Sequence, residues 1–158
     1  MSILESRLQH WPDEAACARA AAALGEHPAL RDATIELHGP LGAGKTTFVR
    51  HLLHALGVQG HVKSPTYALM EPYDVVTADG PLAVSHFDFY RFDDPQEWED
   101  AGFREVFAAP GLKLVEWPEK AAGLLPEADL RIAIEPHGDD ARSVRFDAQT
   151  TVGRELVA

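Results

Sequence analysis

The sequence predicts an α/β fold with a mixed, partly antiparallel sheet flanked by helices. Three observations carry that expectation: a strand, a glycine-rich loop and a helix follow one another over residues 33–56, an isolated apolar run occupies Leu112–Glu116, and two strand pairs with turn residues between them lie at 67–90 and 130–146. Strand–loop–helix units favour parallel pairing, whereas hairpins add antiparallel strands.

Taken in order, Asp13 is placed to cap an alanine-rich helix over Glu14–Leu24 that ends at Gly25. A strand is expected at 33–38, then the loop Gly39–Thr46, then a helix from Lys45 to Leu56 with apolar residues at 48, 49, 52, 53 and 56 and Gly57 as its left-handed terminator. Past Gly60 the chain reads as extended. Ser64-Pro65-Thr66 and 67–73 lead to a turn at Asp79-Gly80 and a strand over 82–90. Asp94-Pro95-Gln96-Glu97 combines a cap, a proline at the first helical position and an acid at the third, so a short helix runs to about Ala101 and a second covers Phe103–Ala108. Gly111 precedes the apolar strand Leu112–Glu116, Pro118–Leu125 reads as helical, and Leu130–Glu135 pairs with Ser143–Phe146 around His137-Gly138-Asp139-Asp140.

Length and composition narrow the function classes. At 158 residues the chain is expected to be one domain, 1–158, with a core of its own. Twenty-five acidic against fourteen basic residues give a net charge of −11, which opposes unaided binding to a polyanion, and no basic run is visible. There is no stretch of eighteen apolar residues, and the first residues have neither the basic start nor the apolar core of a signal peptide. A cytoplasmic protein with no membrane contact is the expectation. The single cysteine, Cys17, sits among alanines and reads as a small packed residue.

The chemistry is concentrated in the loop. Gly39 to Thr46 read Gly-Pro-Leu-Gly-Ala-Gly-Lys-Thr, a full GxxxxGK[ST] phosphate-binding pattern between a strand and a helix. Glycines let successive N–H groups point inward, Lys45 reaches outer phosphates, and the Thr46 hydroxyl is placed for Mg²⁺. The fold class is therefore a single-domain P-loop NTPase. Gly39, Leu41, Gly42, Ala43, Gly44, Lys45, Thr46 and Thr47 form the expected nucleotide-binding set. The loop alone leaves open a kinase, a GTPase switch or a coupled ATPase.

Three other segments are candidates to complete the site. Glu116 closes the apolar strand, either as a metal-holding acid or as a surface carboxylate that merely ends it. In His86-Phe-Asp-Phe-Tyr-Arg91, alternation puts His86, Asp88 and Tyr90 on one face and Phe87 and Phe89 on the other, which fits either an acid–imidazole pair that manages water or a solvated edge strand. Ser64-Pro65-Thr66 is either a switch-like segment or an ordinary turn. His51 and His54 lack a third ligand and read as surface or capping residues.

With the Gly-Pro-Leu-Gly-Ala-Gly-Lys-Thr-Thr loop, Ser64-Pro65-Thr66, His86–Arg91 and Glu116-Trp117 in this order, the chain resembles the bacterial TsaE (YjeE) family over nearly its whole length. The resemblance implies the ATPase component of the system that makes threonylcarbamoyladenosine next to the anticodon of certain tRNAs. It implies ATP and Mg²⁺ as cofactors, and TsaD and TsaB as partners, with tRNA met only through them. Carried onto this chain, Lys45, Asp88 and Glu116 become catalytic residues, with Asp88 orienting the attacking water. Thr46 and Glu116 become metal ligands, Thr66 joins the nucleotide set, and Trp117 packs nearby. The family's threonine near the start of the first helix, beside the base, has no counterpart in Trp11-Pro12-Asp13-Glu14-Ala15-Ala16.

Two rivals are weakened and one stays open. The chain contains no asparagine, so the Asn-Lys-x-Asp element that reads guanine is absent. A small-molecule kinase would need an arginine-bearing lid, and the arginines are scattered singly. A non-catalytic nucleotide-gated interaction module remains compatible with every motif.

Overall fold

The computed structural model describes residues 2–62, 64–65 and 68–158. Thr66, expected in the nucleotide set, lies outside the described residues. Seven strands, β1 (Glu5–Trp11), β2 (Thr34–His38), β3 (Met70–Thr77), β4 (Gly80–Asp88), β5 (Leu112–Glu116), β6 (Leu130–His137) and β7 (Ala141–Ala148), form one sheet in the order β1-β7-β6-β2-β5-β4-β3. β6, β2, β5 and β4 run parallel, while the hairpins β3–β4 and β6–β7 and the pair β1–β7 are antiparallel. The mixed sheet expected from the sequence is therefore present, as a single α/β domain.

The centre of the sheet is covered on both faces, which is why β5 is buried throughout, Lys113 and Glu116 included. On one face, Ile35 and Leu37 of β2, Val84 of β4 and Leu114 of β5 pack with Phe48, Leu52 and Leu53 of α2 (Lys45–Leu56) and with Ala21 and Leu24 of α1 (Glu14–Gly25). On the other, Phe87, Phe89 and Val115 meet Trp98 of α3 (Pro95–Ala101) and Phe103 of α4 (Phe103–Ala108). Each such Val, Leu, Ile or Phe side chain contributes about 1.5–3 kcal/mol by leaving water.

Local chemistry sets the helix ends. Asp13 accepts from the Ala16 N–H at 2.9 Å, and Asp94 forms a capping box with Glu97 at the start of α3. Gly57 ends α2 with φ 112°.

Several elements differ from expectation. Glu5–Trp11 is a strand only because it pairs with β7, since its side chains are mostly exposed and show no apolar run. A final helix, α5 (Thr151–Val157), is capped by Thr150, whose side chain accepts from the Gly153 N–H. Pro118–Leu125 is helical only in its first half: a 3-10 helix covers Pro118–Ala121, and Gly123 follows at φ 88°. The first hairpin is shifted, with β3 beginning at Met70 and β4 ending at Asp88. β4 is no edge strand, because it lies between β3 and β5.

Candidate functional site

Three neighbouring parallel strands, β2, β5 and β4, end side by side, and each delivers a part of one cleft at its C-terminal end. β2 passes into Gly39, where φ is 145° and a Cβ would stand 2.4 Å from the Ile134 carbonyl oxygen, so a side chain is excluded. The loop closes with an Ala43 N–H to Pro40 carbonyl bond of 3.1 Å, and α2 starts at Lys45. Among the described residues no side chain caps α2, so its first N–H groups and the positive end of its dipole face the cleft. This is an arrangement suited to an anion.

Lys45 is buried; its Nζ donates to the Gly39 carbonyl at 2.6 Å and lies 3.4 Å from the centre of a Trp117 ring. Burial pushes its ammonium below the usual lysine range, against the opposing pull of Glu116, Glu119 and Asp88. Thr46 Oγ1 donates to the Glu116 carboxylate, 2.8 Å and 3.0 Å from its two oxygens. Glu116 pairs in register with Leu37 of β2 on one side and Asp88 of β4 on the other. It is 2% exposed and so is no surface carboxylate.

Asp88 is also buried: the Ser64 hydroxyl donates to its Oδ2 and the Tyr90 N–H to its Oδ1, the latter at 2.9 Å. His86 and Asp88 share a face, as alternation required, but that face is enclosed; Tyr90 stands beyond the strand, its ring 5.0 Å from that of Trp117. Trp117 holds φ 56°, a left-handed conformation that strains a bulky residue directly beside the cleft.

The structure thus brings Leu41, Gly42, Ala43, Gly44, Lys45, Thr46, Thr47, Asp88 and Glu116 to one cleft, with Ser64, Tyr90 and Trp117. Gly39 supports its floor through the bond to Lys45. His51 and His54 lie elsewhere, bonded to Glu14 and to the Gly60 carbonyl.

A second cleft shares Ala43, Gly44 and Thr47 with the first and is otherwise lined by Trp11, Asp13, Glu14, Cys17, Asp139, Asp140 and Arg142. Arg142 fastens this side by donating from Nε to the Ala43 carbonyl at 2.7 Å. Trp11 stacks on Phe48 with centroids 5.7 Å apart. Sequence reasoning missed this half, because Asp139 and Asp140 read as hairpin turn residues and Arg142 as one of several lone arginines. Cys17 is buried there and its thiol is pushed up to about 11, chiefly by burial and then by Glu14.

Among the described residues, no group of three or more His, Cys, Asp or Glu side chains could hold a metal unaided. The Thr46 hydroxyl and Glu116 carboxylate are hard oxygen donors, a pair that suits Mg²⁺ completed by water and ligand oxygens.

Fold and site together define a small α/β protein with a polar cleft at the C-terminal ends of its parallel strands. The family model described as threonylcarbamoyl adenosine biosynthesis protein TsaE matches residues 11–144, and the chain belongs to that family. The family's role is in tRNA threonylcarbamoyladenosine biosynthesis. Among its relatives, the tRNA threonylcarbamoyladenosine biosynthesis protein TsaE of Haemophilus influenzae is 45% identical over 124 residues, 78% of this chain and 75% of that one. The Bacillus subtilis protein of the same name is 41% identical over 114 residues, 72% of this chain and 68% of that one. The crystal structure of Bacillus subtilis YdiB superposes with a TM-score of 0.78 at 27% identity, covering 99% of this chain and 95% of that one. Among the described residues, no helix is long and apolar enough to cross a membrane.

Proposed function

We propose that this chain is a P-loop ATPase that works in the cytoplasm and supports turnover of a TsaB–TsaD pair in tRNA threonylcarbamoyladenosine synthesis. The observation that carries the reading is the Thr46–Glu116 contact at the start of α2, beside the buried Lys45. Phosphates of ATP would lie along Gly42–Thr47 and meet the first N–H groups of α2, while Lys45 would leave the Gly39 carbonyl to neutralise the outer phosphates. Thr46 and Glu116 would hold Mg²⁺, which when bound supplies charge neutralisation and a template for the phosphate oxygens. Asp88, fixed by Ser64 and Tyr90, would orient the attacking water. The base would enter the second cleft, between Trp11 and Arg142.

The net charge of −11 agrees with tRNA being held by the partners, not by this chain. The absence of asparagine speaks against guanine recognition. The test is hydrolysis of ATP and GTP by the purified chain with Mg²⁺, with and without the TsaB–TsaD pair. Weak ATP-selective turnover that rises with the pair is expected. Phosphate transfer to a small acceptor would favour a kinase, and nucleotide binding without turnover in the complex would favour a gated interaction module.

A further inference from the structure

His86 has no role in that reading, yet it touches the residue on which the reading depends. The side chain is 0% exposed on β4, and its Nε2 lies 2.7 Å from Oε2 of Glu116. A carboxylate only accepts, so the shared proton sits on Nε2 and the imidazole donates. On the far side of the ring, Nδ1 is buried with no partner among the described residues. An orphaned polar atom is unfavourable, and an apolar side chain here would avoid it, so the imidazole is of use through its other nitrogen. No ligand reaches a side chain so enclosed. Whatever His86 does passes through Glu116.

The Glu116 carboxylate is held from two sides, by Thr46 and by His86. If the Thr46 hydroxyl turns its lone pairs to a cation, it loosens its grip on the carboxylate, and the bond from His86 remains. Asp88 does not take this part, because its oxygens are engaged by Ser64 and Tyr90.

We infer that His86 is a positioning residue whose Nε2–H keeps the Glu116 carboxylate aimed at the cleft and so sets how tightly the site takes Mg²⁺ with a nucleotide. The inference rests on the nucleotide reading above. Its test is calorimetric titration of the full chain with ADP, across a series of Mg²⁺ concentrations and in EDTA, for wild type and for His86→Leu, His86→Asn and His86→Gln. The Gln amide falls near the position of Nε2, whereas the shorter Asn amide stops near Nδ1. The half-saturating Mg²⁺ concentration is expected to rise about tenfold or more in H86L and H86N and to stay within about threefold of wild type in H86Q, with metal-free ADP affinity unchanged throughout.

An unchanged Mg²⁺ requirement in H86L and H86N overturns the inference while leaving the nucleotide reading intact. An equal loss of ADP binding with and without Mg²⁺ also overturns it, since that marks a merely structural role. If H86L does not fold, the Asn–Gln contrast decides alone. A wild-type chain that binds no ADP sinks the nucleotide reading itself, and one whose ADP affinity ignores Mg²⁺ sinks the metal assignment; the inference falls with either.

Discussion

Replacing Glu116 by Gln separates what the carboxylate does for the fold from what it does for a ligand. The group is 2% exposed and accepts from Thr46 Oγ1 and His86 Nε2. Gln keeps its volume and one acceptor oxygen. With that oxygen toward His86, the amide NH₂ faces the Thr46 hydroxyl, which can rotate to accept one of its N–H groups, so the His86 Nε2–H keeps its acceptor. The loss is the difference between charge-assisted and neutral hydrogen bonds, about 1–2 kcal/mol of unfolding free energy. Ala instead leaves the His86 Nε2–H without a partner in a ring whose Nδ1 already lacks one, and opens a void, for about 3–5 kcal/mol. Urea unfolding followed by the fluorescence of the three tryptophans reads both values. For the ligand the two variants are equal, because both remove the charge: each is expected to lose the tightening of ADP binding by Mg²⁺. A Gln variant with a wild-type Mg²⁺ response would refute the metal role, and equal destabilisation of the two variants would refute the hydrogen-bond reasoning.

Other expectations are independent of that carboxylate. Gly153→Ala would put a Cβ 1.9 Å from the Asp129 carbonyl oxygen, so a loss of about 3 kcal/mol or more is expected in urea, and a loss under about 0.5 kcal/mol would contradict the close approach of α5 to the strand ends. Lys45→Ala should abolish most ATP hydrolysis, by about a hundredfold or more, and full activity in this variant would end the ATPase reading. Cys17 should alkylate slowly: at pH 9 a thiol pushed up from 9.0 to about 11 is about fiftyfold poorer in thiolate than in the unfolded chain, and labelling at the unfolded rate would contradict its burial. Because this folded-state value is raised, the thiol's contribution to stability is present below pH 9 and lost as pH climbs toward 11, so Cys17→Ala should flatten the alkaline fall over that window.

What could be read in the sequence was what is local. The loop Gly39–Thr46, the periodicity of α2 and the capping box at Asp94 each carry their cause within a few residues. Glu116 was legible because an acid at the end of a buried five-residue strand is rare without a reason. His86 was half legible: alternation gave its face, but only the strand order, with β5 beside β4, shows that the face is enclosed and that Glu116 comes within hydrogen-bond reach of it. β1 could not be seen, since residues such as Ser6, Arg7 and Gln9 become strand through a neighbour at the other end of the chain. The second cleft was missed for the same reason, because Arg142 meets Ala43 across most of the sequence.

The pairing of β1 with β7 also has a consequence in time. β1 leaves the ribosome long before Ala141–Ala148, its hydrogen-bonding neighbour in the sheet. Until that neighbour is made β1 is a strand without a sheet, the state in which polypeptides seek unintended neighbours. Its mostly polar sequence, Glu5-Ser6-Arg7 and Gln9-His10 around Leu8 and ahead of Trp11, offers such neighbours little apolar surface. The feature that hid β1 from a reading of its residues is thus what lets the nascent chain carry it safely until its neighbour is made.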